Sequence, residues 1–245
     1  MPRLSVNLNK IATLRNSRGG EVPSVLEAVA VCVAAGAPGI TVHPREDERH
    51  IRPDDVYAVA EALEAVRDRV EYNIEGNPRP QLIEMVERVR PDQCTLVPVR
   101  PGELTSEAGW PADTPKEQLR EIIARFQEAG VRVSVFVDPD PEPIDWAREL
   151  GADRVELYTE PYARAFEQGG RALAVSLERF GDACRHAHAL GLGINAGHDL
   201  DLQNLRTFLG LPHVEEVSIG HALISRALFV GLGEVVSEYL RITSR

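Results

Sequence analysis

Two hydrophobic periods alternate along the chain. Stretches such as "DDVYAVAEALEAVRDRV" and "QLREIIARFQEAG" return an apolar residue every three or four positions, the spacing of a one-faced helix. Between them lie short β-branched runs. In "VAAGAPGITVH", "QEAGVRVSVFVD", "RELGADRVELYT" and "HALGLGINAGH" the join is the same: a helical pattern ends, a glycine follows (Gly36, Gly130, Gly151, Gly191), and a strand-like run begins. A glycine there suits a left-handed helix C-cap, where a side chain would clash. Together with runs lacking that glycine, the pattern predicts eight strands centred near Val6, Thr41, Asn73, Leu96, Val135, Glu156, Ile194 and Val217. Eight such alternations predict a (β/α)8 TIM barrel with extra helices, a single domain over residues 1–245. A doubly wound open sheet would call for a G-x-G-x-x-G turn after an early strand, and the chain has none.

Two segments exceed a minimal barrel. Residues 98–114, "PVRPGELTSEAGWPADT", carry no strong period, and a connection that long is expected to be a lid over an active site. Residues 162–190 are too long for one crossover helix. A break at "EQGG", 167–170, predicts an extra helix there for packing against another subunit.

Composition narrows the classes. An apolar fraction of 43% with 17 prolines and 19 glycines excludes disordered and fibrous chains. No run is long and apolar enough to span a bilayer, and "MPRLSVNLNK" lacks a signal-peptide core, so a cytoplasmic protein without a membrane partner is expected. Cys32, Cys94 and Cys184 share no short spacing, which points to reduced core residues rather than a disulfide framework or a Cys-x-x-Cys metal site. A net charge of −11 argues against nucleic-acid partners, which need a basic face. Of 27 cationic side chains only Lys10 and Lys116 are lysines, so a lysine Schiff base has few candidates.

Barrel enzymes carry their chemistry at the C-terminal strand ends. In order, those ends offer Asn7, Asn9 and Lys10; His43, Arg45 and His50; Glu75; Thr105 in the long loop; Asp138; Glu156 to Thr159; Gly197, His198 and Asp199; and Gly220 with His221. His43, Glu75 and His198 on one rim form an acid/base set suited to neutral pH. "NAGH" and "SIGHALISRAL", after strands seven and eight, are placed where barrels commonly bind phosphate on backbone N–H groups. Two other readings fit these residues. His43, Glu75, His198 and His221 could ligate Zn²⁺ or Mn²⁺ in a metal-dependent epimerase or aldolase acting on a phosphorylated sugar, and a phosphate-binding scaffold without catalysis would use the same turns.

The motifs "VNLNKIATLRNSRGG", "GITVHPREDERHI", "NIEGNP", "LVPVRPGELTSEAGW", "LGINAGHDL" and "IGHALISRALFVGL", in this order from residue 6 to residue 232, resemble the pyridoxine 5′-phosphate synthase family. The resemblance implies a barrel with extra helices, a homo-octamer, no cofactor and no metal. It also implies a transferase reaction in which 3-amino-2-oxopropyl phosphate condenses with 1-deoxy-D-xylulose 5-phosphate to give pyridoxine 5′-phosphate, phosphate and water. Both imine partners are then on substrates, in keeping with the scarcity of lysine. By motif, His43 and Glu75 match proton acceptors and His198 a proton donor. Asn7, Arg18, the backbone of Asp199, Gly220 and His221 match positions holding the amino-ketone phosphate; Asn9, Lys10, Arg45, His50 and Thr105 match those holding the deoxyxylulose phosphate. Asn9-Lys10 stands where many members read Asp-His, and Asp199 where many have Gly.

Overall fold

Every strand-like run becomes a strand, and the eight close on themselves. A computed structural model describes residues 1–98 and 108–244. β1 (Arg3–Asn7), β2 (Gly39–Val42), β3 (Glu71–Gly76), β4 (Gln93–Leu96), β5 (Arg132–Val137), β6 (Arg154–Tyr158), β7 (Gly193–Gly197) and β8 (Val214–Ile219) form a closed parallel barrel in sequence order. The barrel closes through β1 and β8, with Leu4 opposite Val217 and Val6 opposite Ile219.

The ring outside is built from α2 (Val25–Ala34), α3 (Pro53–Leu63), α4 (Pro80–Val89), α5 (Glu117–Glu128), α6 (Pro141–Leu150), α8 (Gly170–Ala189), the short α9 (Leu205–Phe208) and α11 (Leu232–Thr243). Three further helices supplement it: α1 (Asn9–Asn16), α7 (Glu160–Gln168) and α10 (His221–Val230). The expected break in the sixth crossover falls at Gly169 and Gly170, both with positive φ. Gly36, Gly130, Gly151 and Gly191 all lie at φ between 77° and 90°, as the cap pattern requires.

Alternation divides the strands into two faces. Leu4, Val6, Ile40, Val42, Tyr72, Ile74, Val133, Val135, Val155, Leu157, Ile194 and Val217 are buried in the apolar core that includes the helix ring. The opposite face is polar. Gln93 of β4 donates to Glu216 of β8 at 3.3 Å, and Asn195 of β7 donates to Gln93 at 3.2 Å, contacts that only a shared interior allows between non-adjacent strands. Ser5, Thr41, Asn73 and Thr95 form a second interior chain of hydrogen bonds. At the N-terminal end Arg132 and Arg3 both grip Glu71, at 2.7 and 2.5 Å, and Arg154 pairs with Glu215 at 2.8 Å. Barrel interiors are more often filled by branched apolar residues. Here the interior consists largely of hydrogen-bonding groups that lead up to the C-terminal mouth.

Cys32, Cys94 and Cys184 are buried free thiols. Trp110 anchors the described part of the fourth connection, donating from its ring to Leu96 O at 3.0 Å and from its backbone to Phe136 O at 2.9 Å. Thr105 and the middle of the expected lid, 99–107, lie outside the described residues.

Candidate active site

The C-terminal mouth opens into a cavity of about 560 Å³. Asn7, Asn9, Lys10, His43, Arg45, His50, Glu75, His198, Asp199, Gly220 and His221 all line it, so eleven of the thirteen residues to which the family resemblance gives a role converge there. Of the other two, Thr105 is outside the described residues, and Arg18 is exposed beyond the end of α1 and does not line the cavity. Three residues earlier, Arg15 is buried and is held bidentate by Asp55 at 2.5 and 2.8 Å.

Burial resolves the charged run after β2. Glu46, Asp47 and Glu48 are exposed, whereas Arg45 and His50 are buried at 9% and 8% exposure. Asn16 fixes the loop by donating to His50 O at 2.7 Å and Glu48 O at 3.0 Å. The Ile51 N–H donates to His50 Nδ1 at 3.0 Å, which leaves the proton of a neutral ring on Nε2. Burial, with Arg45 and Lys10 nearby, pulls His50 down to about 4. Burial first, then His50 and Arg45, holds His43 well below the usual histidine range, so its imidazole is a neutral base. Asn9 takes a part that its sequence position did not suggest: its Oδ1 accepts the His43 N–H at 2.8 Å, tying α1 to the end of β2.

Glu75 stands at the centre. Asn7 donates to its Oε2 at 3.3 Å and Ser218 to its Oε1 at 3.4 Å, while His43 Nδ1 is 3.9 Å away. Burial pushes its carboxyl up to about 8, and Glu216, below it in the barrel, adds to the rise. A carboxyl so placed exchanges protons near neutrality. Across the mouth, His198 packs its ring against Phe136 and Tyr158, with centroids 5.6 and 5.4 Å apart. Burial lowers its pKa; Asp199 opposes that shift and Lys10 adds to it.

Sequence reasoning placed Glu156 at the end of the sixth strand but gave it no role in the site. It is 4% exposed, lines the cavity from β6, and its Oε2 has no hydrogen-bond partner among the described residues. Burial, reinforced by Glu75 and Glu216, drives its carboxyl well above the ordinary range. The signal was a lone acid between Val155 and Leu157 in an apolar strand. Gly197 makes room for it, since a Cβ there would stand 2.5 Å from Glu156 Oε1.

Two helices begin at the cavity wall, α1 at Asn9 and α10 at His221. Their positive dipole ends favour anions, although the Asn9 N–H of α1 is already taken by Asn7 Oδ1 at 3.0 Å. Lys10, Arg45 and Arg49 also line the cavity. Gly220 lets α10 come close to β1, for a Cβ there would sit 3.1 Å from the Asn7 side chain. Among the described residues no three histidine, cysteine, aspartate or glutamate side chains converge as a metal-ligand set.

A sequence model of the family described as pyridoxal phosphate biosynthesis protein PdxJ matches residues 4–245. The chain belongs to this family. It is 52% identical over 240 residues to the pyridoxine 5′-phosphate synthase of Porphyromonas gingivalis, covering 98% of each chain. To the enzyme of that name from Xanthomonas campestris it is 53% identical over 247 residues, covering 98% of this chain and 95% of the other. Among solved structures it resembles a thiamine phosphate pyrophosphorylase from Pyrococcus furiosus, with a TM-score of 0.64 at 12% identity, covering 99% of this chain and 95% of that one. A phosphoribosyl anthranilate isomerase from Thermus thermophilus gives 0.59 at 16%, covering 99% and 98%. These two likenesses establish the barrel alone.

Proposed function

We propose that this chain is a pyridoxine 5′-phosphate synthase, a ring-closing transferase that condenses 3-amino-2-oxopropyl phosphate with 1-deoxy-D-xylulose 5-phosphate, releasing phosphate and water. The observation that carries this reading, beside family membership, is one cavity lined together by His43, Glu75 and His198, by Lys10, Arg45 and Arg49, and by the first residues of α1 and α10. His43, uncharged and facing Glu75, takes protons from the substrate carbons and the amine. Glu75, at about 8, accepts a proton and returns it without a large penalty in either direction. His198 donates to the departing oxygen. Glu156, whose carboxyl burial drives well above the ordinary range and whose Oε2 has no partner among the described residues, is placed when protonated to donate a hydrogen bond to developing oxyanion charge.

Imine formation uses the amine of one substrate and the ketone of the other. Lys10 is the lysine that lines the cavity, while Lys116 pairs with Glu149 on the surface. Lys10 therefore serves as a fixed cation for a substrate phosphate or oxygen. The expectation of a lid at residues 98–114 belongs to the proposal, with 99–107 outside the described residues. So do a cytoplasmic location and a homo-octamer, the latter supported by Leu228, Phe229 and Val230 at the end of α10, which are 66, 88 and 43% exposed. Incubation with both substrates should yield pyridoxine 5′-phosphate and free phosphate, and neither with one substrate omitted. Absence of product from folded protein at saturating substrates would overturn the reading.

A further inference from the structure

The turn that carries His198 is held in an unusual backbone conformation. His198 has φ 81° and Asp199 φ 53°, two successive residues in the left-handed region, and neither is glycine. Such a pair persists only where the surroundings over-determine it. The surroundings here are two buried side chains outside the cavity wall. Thr159, wholly buried just past β6, donates its backbone N–H to Gly197 O at 3.1 Å. Its single hydroxyl proton is shared between Gly197 O, at 2.5 Å, and His198 O. Asn204 then donates from Nδ2 to Asp199 O at 2.9 Å, and is itself held by the Asp201 N–H on Oδ1 at 3.0 Å.

Three consecutive carbonyls are thus engaged from behind the turn. Groups not drawn backwards face the other way, and there His198, Asp199 and Leu200 line the cavity. Phe136 and Tyr158 flank the imidazole but leave the peptide plane unfixed. Resting on the reading of His198 as proton donor and of its turn as part of an anion cradle, we propose that Thr159 is a positioning residue. Its hydroxyl holds the left-handed His198–Asp199 turn, aiming the imidazole and the adjacent backbone at the substrate, with Asn204 completing the clamp. Neither residue touches the cavity.

Thr159→Val keeps the shape and removes the hydroxyl, while Thr159→Ser keeps the hydroxyl. The valine variant should lower kcat about 10- to 100-fold, the scale of a misplaced catalytic group. The serine variant should stay within about threefold of wild type, which a packing role for the methyl would not allow. In a His198→Gln background the valine change should cost less than about threefold further, because the two lesions then act on one unit. A valine variant with kcat near wild type, or one with its full loss retained beside His198→Gln, would overturn the proposal. If His198→Gln alone is fully active, the donor assignment fails instead, and calorimetric binding of pyridoxine 5′-phosphate decides the clamp. Binding should then weaken at least about fivefold in Thr159→Val and not in Thr159→Ser, and equal binding in both would overturn it. Should the valine variant fail to fold, Asn204→Ala removes the third donor and is held to the same kinetic and binding outcomes.

Discussion

Glu75→Gln should produce a protein that is inactive yet less sensitive to alkali than wild type. Burial chiefly, and Glu216 beside it, raises the Glu75 carboxyl from 4.5 to about 8. The native state keeps a proton that the unfolded chain gives up, so the contribution of this group is complete below about pH 4.5 and is lost as pH rises through about 8. His43, His50 and His198 act in the opposite sense. Their lowered values contribute fully above 6.5 and lose that contribution as pH falls, toward about 4 for His50. Between pH 6.5 and 8 the carboxyls therefore act alone. One proton held over those one and a half units corresponds to at most about 2 kcal/mol, at about 1.4 kcal/mol per unit. Glutamine removes the ionisation with little change of shape, and the Ser218 hydroxyl and the Asn7 amide can both turn to partner it. Unfolding free energies from urea titrations at pH 6.5 and 8, at one protein concentration, should thus fall less in the variant, by up to about 2 kcal/mol. Turnover should drop at least about 10²-fold, the usual scale for losing an acid/base group. Parallel pH dependence in the two proteins would refute the buried-proton account, and near-normal turnover would remove Glu75 from the mechanism.

Other outcomes follow from the same geometry. Glu156→Gln, which imitates the shape of the protonated acid but cannot give up a proton, should fold normally and lose about 10²-fold in turnover; steady-state kinetics beside a melting curve check this. Gly197→Ala places a methyl 2.5 Å from Glu156 Oε1 and 3.3 Å from Ser218 O. It should destabilise the fold by about 1–3 kcal/mol and reduce turnover with it, and an unchanged urea midpoint would contradict the close contact. Lys10→Met should raise the KM of one phosphorylated substrate, with a reduced salt dependence, more than it lowers kcat. Borohydride in the presence of both substrates should leave no adduct on Lys10, and mass spectrometry showing one would force a lysine-based imine.

Local chemistry already determined the outline of this protein. The two hydrophobic periods and the glycines at 36, 130, 151 and 191 placed the strands, the helices and their joins, because each depends on neighbours a few residues away. The strand-end rule brought His43, Glu75 and His198 to one rim for the same reason: position at the end of a strand is a local property that the barrel inherits. Three results needed closure of the sheet. Glu156 is raised chiefly by burial inside the closed barrel, and further by Glu75, a neighbour 81 positions away that no period announces. Asn9 spends its oxygen on the His43 backbone because β1 and β2 pair in the register that sets Asn7 opposite Thr41. Arg15 is buried while Arg18 is exposed, a difference set by the Arg15 contact with Asp55, 40 positions away on α3. In each case the deciding contact joins residues far apart in sequence, and their proximity is set by strand register and burial rather than by the residues themselves.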